Sequence, residues 1–162
     1  MIIRNATQHE MLTLWGYQNV KTSSPTATFF SENILSGNAE FFTIEKDGAL
    51  IGELYAFKSL SDPEFADGHT RAYLCAFRIH KDYRKQGLGT QLMKAVLEHM
   101  KEYGFTHVTI GVDKTEEANI RLYQRLGFHT KVKDCYFDPC DLDEHMQPKA
   151  CSCYWLLIKN LV

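Results

Sequence analysis

The stretch Arg84-Lys85-Gln86-Gly87-Leu88-Gly89-Thr90 stands between two segments of different periodicity, and this position decides the fold. The segment before it, Arg71–Ile79, is a largely apolar run typical of a buried strand. After it, apolar residues recur at helical spacing as far as Tyr103, and Gly104 is well placed to end the helix. The sequence therefore predicts a strand, a glycine loop and a long helix in direct succession.

A glycine loop at the start of a helix is suited to binding an anion. Gly87 and Gly89 have no Cβ, so a ligand can approach their backbone closely. The first N–H groups of a helix have no partner within it, and the helix dipole adds positive charge there. The loop is therefore a candidate pyrophosphate site. The alternative is an ordinary tight turn, and Gly-x-Gly alone does not separate the two.

A second motif follows the loop, with one predicted strand, Thr106–Val112, between them. This motif is Asn119-x-x-Leu122-Tyr123-x-x-Leu126-Gly127-Phe128. Together with Arg84-x-x-Gly87-x-Gly89, it resembles the acetyl-CoA-dependent N-acetyltransferases of the GNAT superfamily. The resemblance is sharpest between Tyr73 and Phe128, and the order of predicted elements extends it over essentially the whole chain.

The remaining elements are predicted from periodicity and turn signals. Further strands are expected at Ile2–Arg4, Phe41–Lys46, Leu50–Lys58, Phe128–Phe137 and Tyr154–Lys159, and further helices at Gln8–Gln18, Phe29–Leu35 and Glu116–Leu126. A polar loop, 21–26, should join the first two helices, and a long acidic loop should separate the last two strands. The resemblance implies an α/β (α+β) fold with a mixed, mostly antiparallel sheet of about seven strands, splayed at its centre and flanked by about four helices. We expect a single domain spanning residues 1–162.

Composition excludes several classes of function. A net charge of −2 over 162 residues gives no basic surface for nucleic acid. No apolar run reaches the roughly 18 residues that a membrane span needs. The N-terminus lacks the apolar core of a signal peptide, so we expect a cytoplasmic protein whose five cysteines stay reduced.

The resemblance implies a reaction in which an acetyl group moves from acetyl-CoA to a primary amine of a small molecule or peptide, directly within a ternary complex. It also implies which residues contact the cofactor. The pyrophosphate would bind mainly to backbone N–H groups of Lys85, Gln86, Gly87, Leu88, Gly89 and Thr90, and Arg84 and Lys85 can add charge. The pantetheine and the thioester carbonyl would contact main-chain groups of Phe77, Arg78 and Ile79, one N–H serving as an oxyanion donor. Alternatively, Lys85 is a solvated surface lysine, and the side chains of Phe77 and Ile79 are core in either case.

Tyr123 matches the family's proton donor to the departing thiolate. A tyrosine pKa of about 10 lies near enough to a thiol pKa of about 8.5 for proton transfer. The alternative is a tyrosine that merely packs its helix. Asn119, one turn earlier on the same side, is a further candidate cofactor contact. Many family members instead carry the asparagine two turns before the tyrosine, where this chain has Glu116.

A general base is harder to assign. Where many members carry a strand glutamate, this chain has Tyr73. Glu53, within the predicted strand Leu50–Lys58, is the best remaining candidate for a catalytic carboxylate. The alternatives are that Glu53 lies on an exposed strand face, or that ordered water accepts the proton without a dedicated base.

The C-terminal third contains a cysteine cluster and an acidic cluster. Zinc binding by Cys135, Cys140, Cys151, Cys153 and His145 is disfavoured by their spacing, so we expect packed free cysteines and no metal. Five acids predict a rim that attracts a positively charged amine: Asp134, Asp138, Asp141, Asp143 and Glu144. Aromatic residues could form the opposite wall: Trp15, Tyr17, Phe29 and Phe30. Alternatively, the acids are a solvated loop and the aromatics are core.

Two other functions fit the same motifs. One is a non-catalytic acyl-CoA-binding module that has the pocket without turnover. The other is a protein acetyltransferase acting on N-terminal or lysine amines. A homodimer is an additional expectation, and the sequence leaves it open.

Overall fold

The computed structural model describes residues 1–162 and contains a single seven-stranded sheet. The strands are β1 (Ile2–Ala6), β2 (Ala39–Lys46), β3 (Ala49–Phe57), β4 (Arg71–Ile79), β5 (His107–Asp113), β6 (Thr130–Leu142) and β7 (Pro148–Asn160). The helices are α1 (Gln8–Leu14), α2 (Pro25–Ser36), α3 (Leu88–Tyr103) and α4 (Glu117–Arg125). The strand order is β1-β2-β3-β4-β5-β7-β6, and every neighbouring pair is antiparallel except β4 and β5.

Side chains that alternate along the strands build a core on each face of the sheet. On one face, Leu54 and its neighbours pack against Leu92 and Val96 of α3. On the other, Tyr55 packs against Met11 of α1 and Phe30 of α2. Burying each large apolar side chain contributes about 1.5–3 kcal/mol, so the two cores stabilise one sheet from both sides. None of the helices is both long and apolar enough to cross a membrane.

The first two helices differ in extent from those predicted. Helix α1 ends at Leu14 rather than Gln18, because Gly16 adopts a left-handed backbone conformation with φ 88°. Helix α2 begins at Pro25 rather than Phe29, because the Ser24 side chain accepts a hydrogen bond from the backbone N–H of Ala27. The expected polar loop 21–26 therefore contains the first turn of α2, and it also overlaps a 3-10 turn at 20–22.

The C-terminal hairpin departs most from expectation. Strands β6 and β7 continue to Leu142 and from Pro148, so a short turn at 143–147 replaces the long acidic loop. Breaks in the strand register accommodate Pro139, and the Asp138 carboxylate accepts the backbone N–H of Cys140. Most of the acidic cluster therefore lies on a strand, where each side chain has a fixed direction.

The central strands part because β4 is bulged. Strand β4 pairs with β5 only as far as Leu74 and Ile110. On its other side β4 stays paired with β3, where Tyr55 opposes Cys75 but Glu53 opposes Arg78, leaving an extra residue on β4. Ala76 lies in this interval with φ 52°. A bulge bends its strand, so β4 turns away from β5. The predicted fold class, with splayed central strands, is confirmed.

Candidate active site

A cavity of about 520 Å³ lies between the parted strands β4 and β5. The two parted strands form its sides, with Tyr73–Phe77 from β4 and Ile110–Asp113 from β5. The remaining wall residues come from α4 and its N-terminal flank and from the C-terminal hairpin: Glu116, Asn119, Tyr123, Asp138, Cys151, Ser152 and Tyr154. The bulge thus converts the middle of the sheet into a binding site.

The glycine loop lies at the start of α3, directly after β4. Gly87 caps the helix in a left-handed conformation with φ 78°, and its carbonyl accepts the N–H of Gln91 at 3.1 Å. The backbone N–H groups of Leu88, Gly89 and Thr90 have no hydrogen-bond partner in the protein. Three donors at a helix N-terminus form an arrangement that suits a phosphate group.

Close packing between α3 and β4 fixes the position of this loop. A Cβ added at Gly89 would lie 2.9 Å from the Phe77 ring, so only glycine allows this approach. Arg84 Nε donates to the carbonyl of Ile79 at 2.9 Å, which ties the loop to the end of β4. The Leu88 side chain lies in the core, whereas Lys85 is exposed. A ligand at this loop would therefore meet backbone at residue 88 and a flexible charge at residue 85.

Tyr123 presents its hydroxyl to the cavity from α4. Its ring is buried with 4% exposure and packs edge-on against Phe128, with ring centroids 6.1 Å apart. The hydroxyl has no hydrogen-bond partner in the protein. Ser31 Oγ is the only fully buried side-chain polar atom without a partner, so the Tyr123 hydroxyl must be open to solvent.

Burial raises the pKa of Tyr123 well above its usual value, and the nearby Glu116 carboxylate raises it further. The hydroxyl is therefore fully protonated near neutral pH. The shift also widens the gap to a thiol pKa of about 8.5. This differs from the near match expected from the sequence, and it makes the group chiefly a hydrogen-bond donor.

Asn119 and Glu116 bind each other at the N-terminus of α4. The Asn119 amide donates to the Glu116 carboxylate, and both residues line the cavity. Glu116 stands where many family members have an asparagine, and its carboxylate holds the side chain of Asn119, one turn later.

Comparison with known proteins agrees with this geometry. The model of the Acetyltransferase (GNAT) family matches residues 7–128. The chain belongs to this family. Over 117 residues it is 30% identical to an N-alpha-acetyltransferase of Sulfurisphaera tokodaii, covering 67% of this chain and 68% of that protein. Over 150 residues it is 23% identical to the L-methionine sulfoximine/L-methionine sulfone acetyltransferase of Salmonella typhimurium, covering 85% of this chain and 84% of that protein.

The fold resembles that of a GNAT family acetyltransferase from Elizabethkingia anophelis with acetyl-CoA bound. The TM-score is 0.64 at 17% identity, and the match covers 98% of this chain and 97% of that one. The protein is accordingly a GNAT N-acetyltransferase.

In this acetyltransferase, Glu53 is buried, with 7% exposure, so the alternative of an exposed strand glutamate is wrong. Its Oε1 accepts hydrogen bonds from Trp15 Nε1 at 2.8 Å and from the Tyr55 hydroxyl at 3.0 Å. Its Oε2 lies 3.8 Å from Arg78 Nε. Glu53 lines a neighbouring cleft of about 310 Å³ rather than the cavity between β4 and β5.

The three strand residues expected to contact the cofactor point in different directions. Phe77 lines the cavity, and Ile79 packs against the α3-side core. The Arg78 side chain instead lies over the Trp15 ring at 5.4 Å, on the opposite face of the sheet. Its backbone is directed at β3, where Arg78 pairs with Glu53.

The acidic rim expected from the sequence is largely engaged elsewhere. Asp141 accepts a hydrogen bond from Thr26 at 2.9 Å, and Asp143 accepts backbone N–H groups within its own turn. The exposed Glu144 lies 3.7 Å from His145. Among the five acids, only Asp138 lines the cavity.

The aromatic residues proposed as the opposite wall pack with the core instead. Trp15 lies 5.0 Å from Phe30 between ring centroids, and Phe29 stacks on Phe57 at 5.6 Å. All five cysteines are free, and no group of three or more His, Cys, Asp or Glu side chains is arranged to hold a metal ion.

Sequence reasoning missed several residues of the site. Tyr73, Cys75 and Tyr154 line the cavity, and Gly111 leaves room for the Tyr154 ring, which a Cβ there would meet at 2.9 Å. The bulge at Ala76 was also missed. The sequence carried no signal of it, because residues 72–77 are apolar throughout and show no two-residue period that a bulge could break.

Proposed function

We propose that this acetyltransferase moves the acetyl group of acetyl-CoA to a primary amine of a small molecule or peptide, directly within a ternary complex. One observation carries the proposal. The opening between β4 and β5 has three unpaired N–H groups at the adjacent helix start and an unpaired tyrosine hydroxyl inside it. Such an opening fits a ligand with a phosphate at one end and a thioester at the other.

The pyrophosphate would bind the backbone N–H groups of 86–90, with charge added by Lys85 and by the two terminal nitrogens of Arg84. The pantetheine would run along the unpaired edge of β4 and hydrogen-bond to it as an added strand does. Phe77 has no partner on β3 and is free for this, whereas Arg78 pairs with Glu53 of β3 and the Ile79 carbonyl already accepts Arg84. Asn119, on the cavity wall, would contact the cofactor from α4.

Catalysis would require three groups. A β4 backbone N–H polarises the thioester carbonyl as an oxyanion donor. Tyr123 donates a hydrogen bond to the departing sulfur. Glu53 remains a candidate base, acting through water because it lies outside the cavity, and ordered water alone is the alternative.

The acceptor class is supported by the relatives. One is an N-alpha-acetyltransferase, and another acetylates L-methionine sulfoximine and L-methionine sulfone, which are amino-acid derivatives. Both names are compatible with an amine that is positively charged at neutral pH.

The test is turnover on a panel of amines with acetyl-CoA. The panel comprises amino-acid derivatives, aliphatic diamines, aminoglycosides, and peptides with free or blocked N-termini. We expect CoA release above the enzyme-only rate with at least one class, together with an acetylated product of the correct mass. Tight acetyl-CoA binding without turnover on any amine would instead indicate a non-catalytic acyl-CoA-binding module. Turnover confined to blocked peptides containing lysine would indicate a lysine acetyltransferase.

We also propose a cytoplasmic homodimer. The five free cysteines suit a reducing compartment. Strand β6 is the outermost strand, and it exposes Tyr136 and Phe137 with 59% and 58% exposure. An open edge with exposed aromatics favours association. Light scattering should give twice the 18.7 kDa chain mass, and a monomeric mass at micromolar concentration would contradict this assembly.

A further inference from the structure

We propose that Asp138 binds the ammonium group of the acceptor and takes its proton. This inference rests on the proposed function and names the base that the sequence did not identify. Asp138 reaches the cavity from β6, and Tyr123 reaches the same cavity from α4. The group that accepts the proton of the amine and the group that donates one to the departing sulfur thus line the same cavity.

The Asp138 carboxylate is oriented by backbone N–H groups and has no side-chain partner. Its Oδ1 accepts the backbone N–H of Cys140 at 2.9 Å, which orients the carboxylate. The Asp141 backbone N–H also lies close to the carboxylate, but no side chain donates to it and no cation lies within ion-pair distance. Lys149, its cross-strand neighbour, lies 3.9 Å from Asp141 instead.

The one positive charge among the side chains around Asp138 belongs to Lys149, which lies near Asp141 and forms no ion pair with Asp138. Burial raises the pKa of Asp138 and the Asp141 carboxylate raises it further, whereas the backbone N–H groups of Cys140 and Asp141 lower it. Tyr73 is 4% exposed and lines the same cavity, with a hydroxyl that has no partner in the protein. The titratable and charged side chains around Asp138 are Tyr73, Cys75, Cys140, Asp141, Lys149, Cys151 and Tyr154.

Such a carboxylate is suited to a cation from outside. A partly buried charge is costly unless it is paired, so an ammonium group that enters the cavity supplies the missing partner. The Tyr73 hydroxyl can accept a second hydrogen bond from the same ammonium. Acetyl-CoA does not fit this role, because its ionised groups are phosphates.

The other carboxylates near the site are already engaged. Asp113 accepts hydrogen bonds from the backbone and side chain of Thr115, and Glu116 accepts one from Asn119. Glu53 is held by Trp15 and Tyr55 outside the cavity. Of the three carboxylates that line the cavity, only Asp138 has no side-chain partner.

The proton balance is complete with these groups. Asp138 takes one proton from the ammonium, and the neutral nitrogen then forms a bond to the thioester carbon. The C–S bond breaks, and the sulfur takes a proton through Tyr123, which is reprotonated from solvent. The nitrogen loses its second proton to water as the amide forms, and Asp138 returns its proton to solvent. One proton is released in total. The raised pKa of Asp138 lies closer than that of an ordinary carboxylate to the pKa of an α-amine, which is usually about 7.7–8.0, and this makes the proton transfer easier.

The test is Asp138→Asn in the full-length protein, with the fastest amine among L-methionine sulfone, a free-α-amine peptide and an aliphatic diamine. Asparagine keeps the oxygen that accepts the Cys140 N–H, so the local fold should persist. We expect kcat/KM for the amine to fall on the order of a hundredfold near pH 7, with an unchanged acetyl-CoA thermal shift. The deficit should shrink as the pH approaches the pKa of the amine, because the neutral amine then no longer needs a base.

Two matched variants complete the experiment. Asp134→Asn removes a carboxylate from the same strand outside the cavity, where it pairs with Lys131, and should retain wild-type kinetics. The wild-type kcat/KM should fall at acidic pH as Asp138 becomes protonated, which gives the pH profile an acidic limb. Glu53→Gln should keep this limb, since Asp138 produces it.

The outcomes separate the two levels of the argument. An active wild type whose Asp138→Asn variant keeps both the wild-type kcat/KM and the acidic limb would overturn this inference alone. A variant that loses the acetyl-CoA thermal shift along with activity would assign Asp138 a structural role and likewise overturn it. A wild type that acetylates no amine would overturn the proposed function, and this inference with it.

Discussion

Replacing Tyr123 by phenylalanine should lower kcat on the order of a hundredfold while acetyl-CoA still binds. The substitution removes the hydroxyl that faces the cavity and keeps the ring that packs against Phe128. Since burial holds the pKa of Tyr123 above its usual value, the wild-type rate should show no loss from tyrosine ionisation near neutral pH. Steady-state kinetics with saturating acetyl-CoA measure the effect.

A matched control is Tyr103→Phe. Tyr103 is an exposed tyrosine on α3 that stacks on Phe105 outside the cavity, so its variant should keep wild-type turnover. If Tyr123→Phe retains the parent kcat under conditions where single-turnover kinetics show chemistry to be rate-limiting, Tyr123 is not the proton donor.

Replacing Gly89 by valine should abolish acetyl-CoA binding. A ligand at 100 times its Kd stabilises the folded state by about 2.7 kcal/mol. For a chain of this size, each kcal/mol of added stability raises Tm by about 2–4 °C. The new side chain would push against the Phe77 ring, 2.9 Å from the added Cβ, and so displace the helix start that carries the three unpaired N–H groups. Differential scanning fluorimetry with and without acetyl-CoA should therefore show no shift for the variant.

Ala95→Val is the control for added bulk on the same helix. Ala95 is exposed, away from the loop, so this variant should lose a little stability and keep the full ligand shift. The Gly89 variant should remain folded by circular dichroism, because the atom that clashes with the new Cβ is the end of the Phe77 side chain, which can rotate away. A full acetyl-CoA shift in Gly89→Val would remove the loop from the cofactor site.

Local patterns were enough for the part of the fold between β4 and Phe128. The strand, the glycine loop and α3 follow each other with clear changes of period, and Gly104 ends the helix as expected. The C-terminal hairpin was not predictable in the same way. Its strands are interrupted by register breaks near Asp138, and Pro139 in a strand suggests a loop when only the sequence is available.

The site was predictable only where a motif specifies it. Tyr123 and the glycine loop belong to motifs, and the structure places them around one opening. Asp138 could be counted among the acids of its segment, but its contact with the cavity depends on the register of β6. Glu53 reaches Trp15 across 38 positions of sequence, and no local pattern reports such a contact.

The bulge at Ala76 has a consequence for how the protein avoids unwanted partners. An ordinary sheet has two edges, but parting β4 from β5 adds two more in its interior, each with unpaired backbone groups. Exposed edges invite pairing with strands of other proteins, which leads to aggregation. A strand needs a spacing of about 4.8 Å on each side, and the opening closes to direct pairing at Leu74 and Ile110. A strand from another protein therefore cannot pair along the full length of these interior edges, which limits the aggregation that they would otherwise invite.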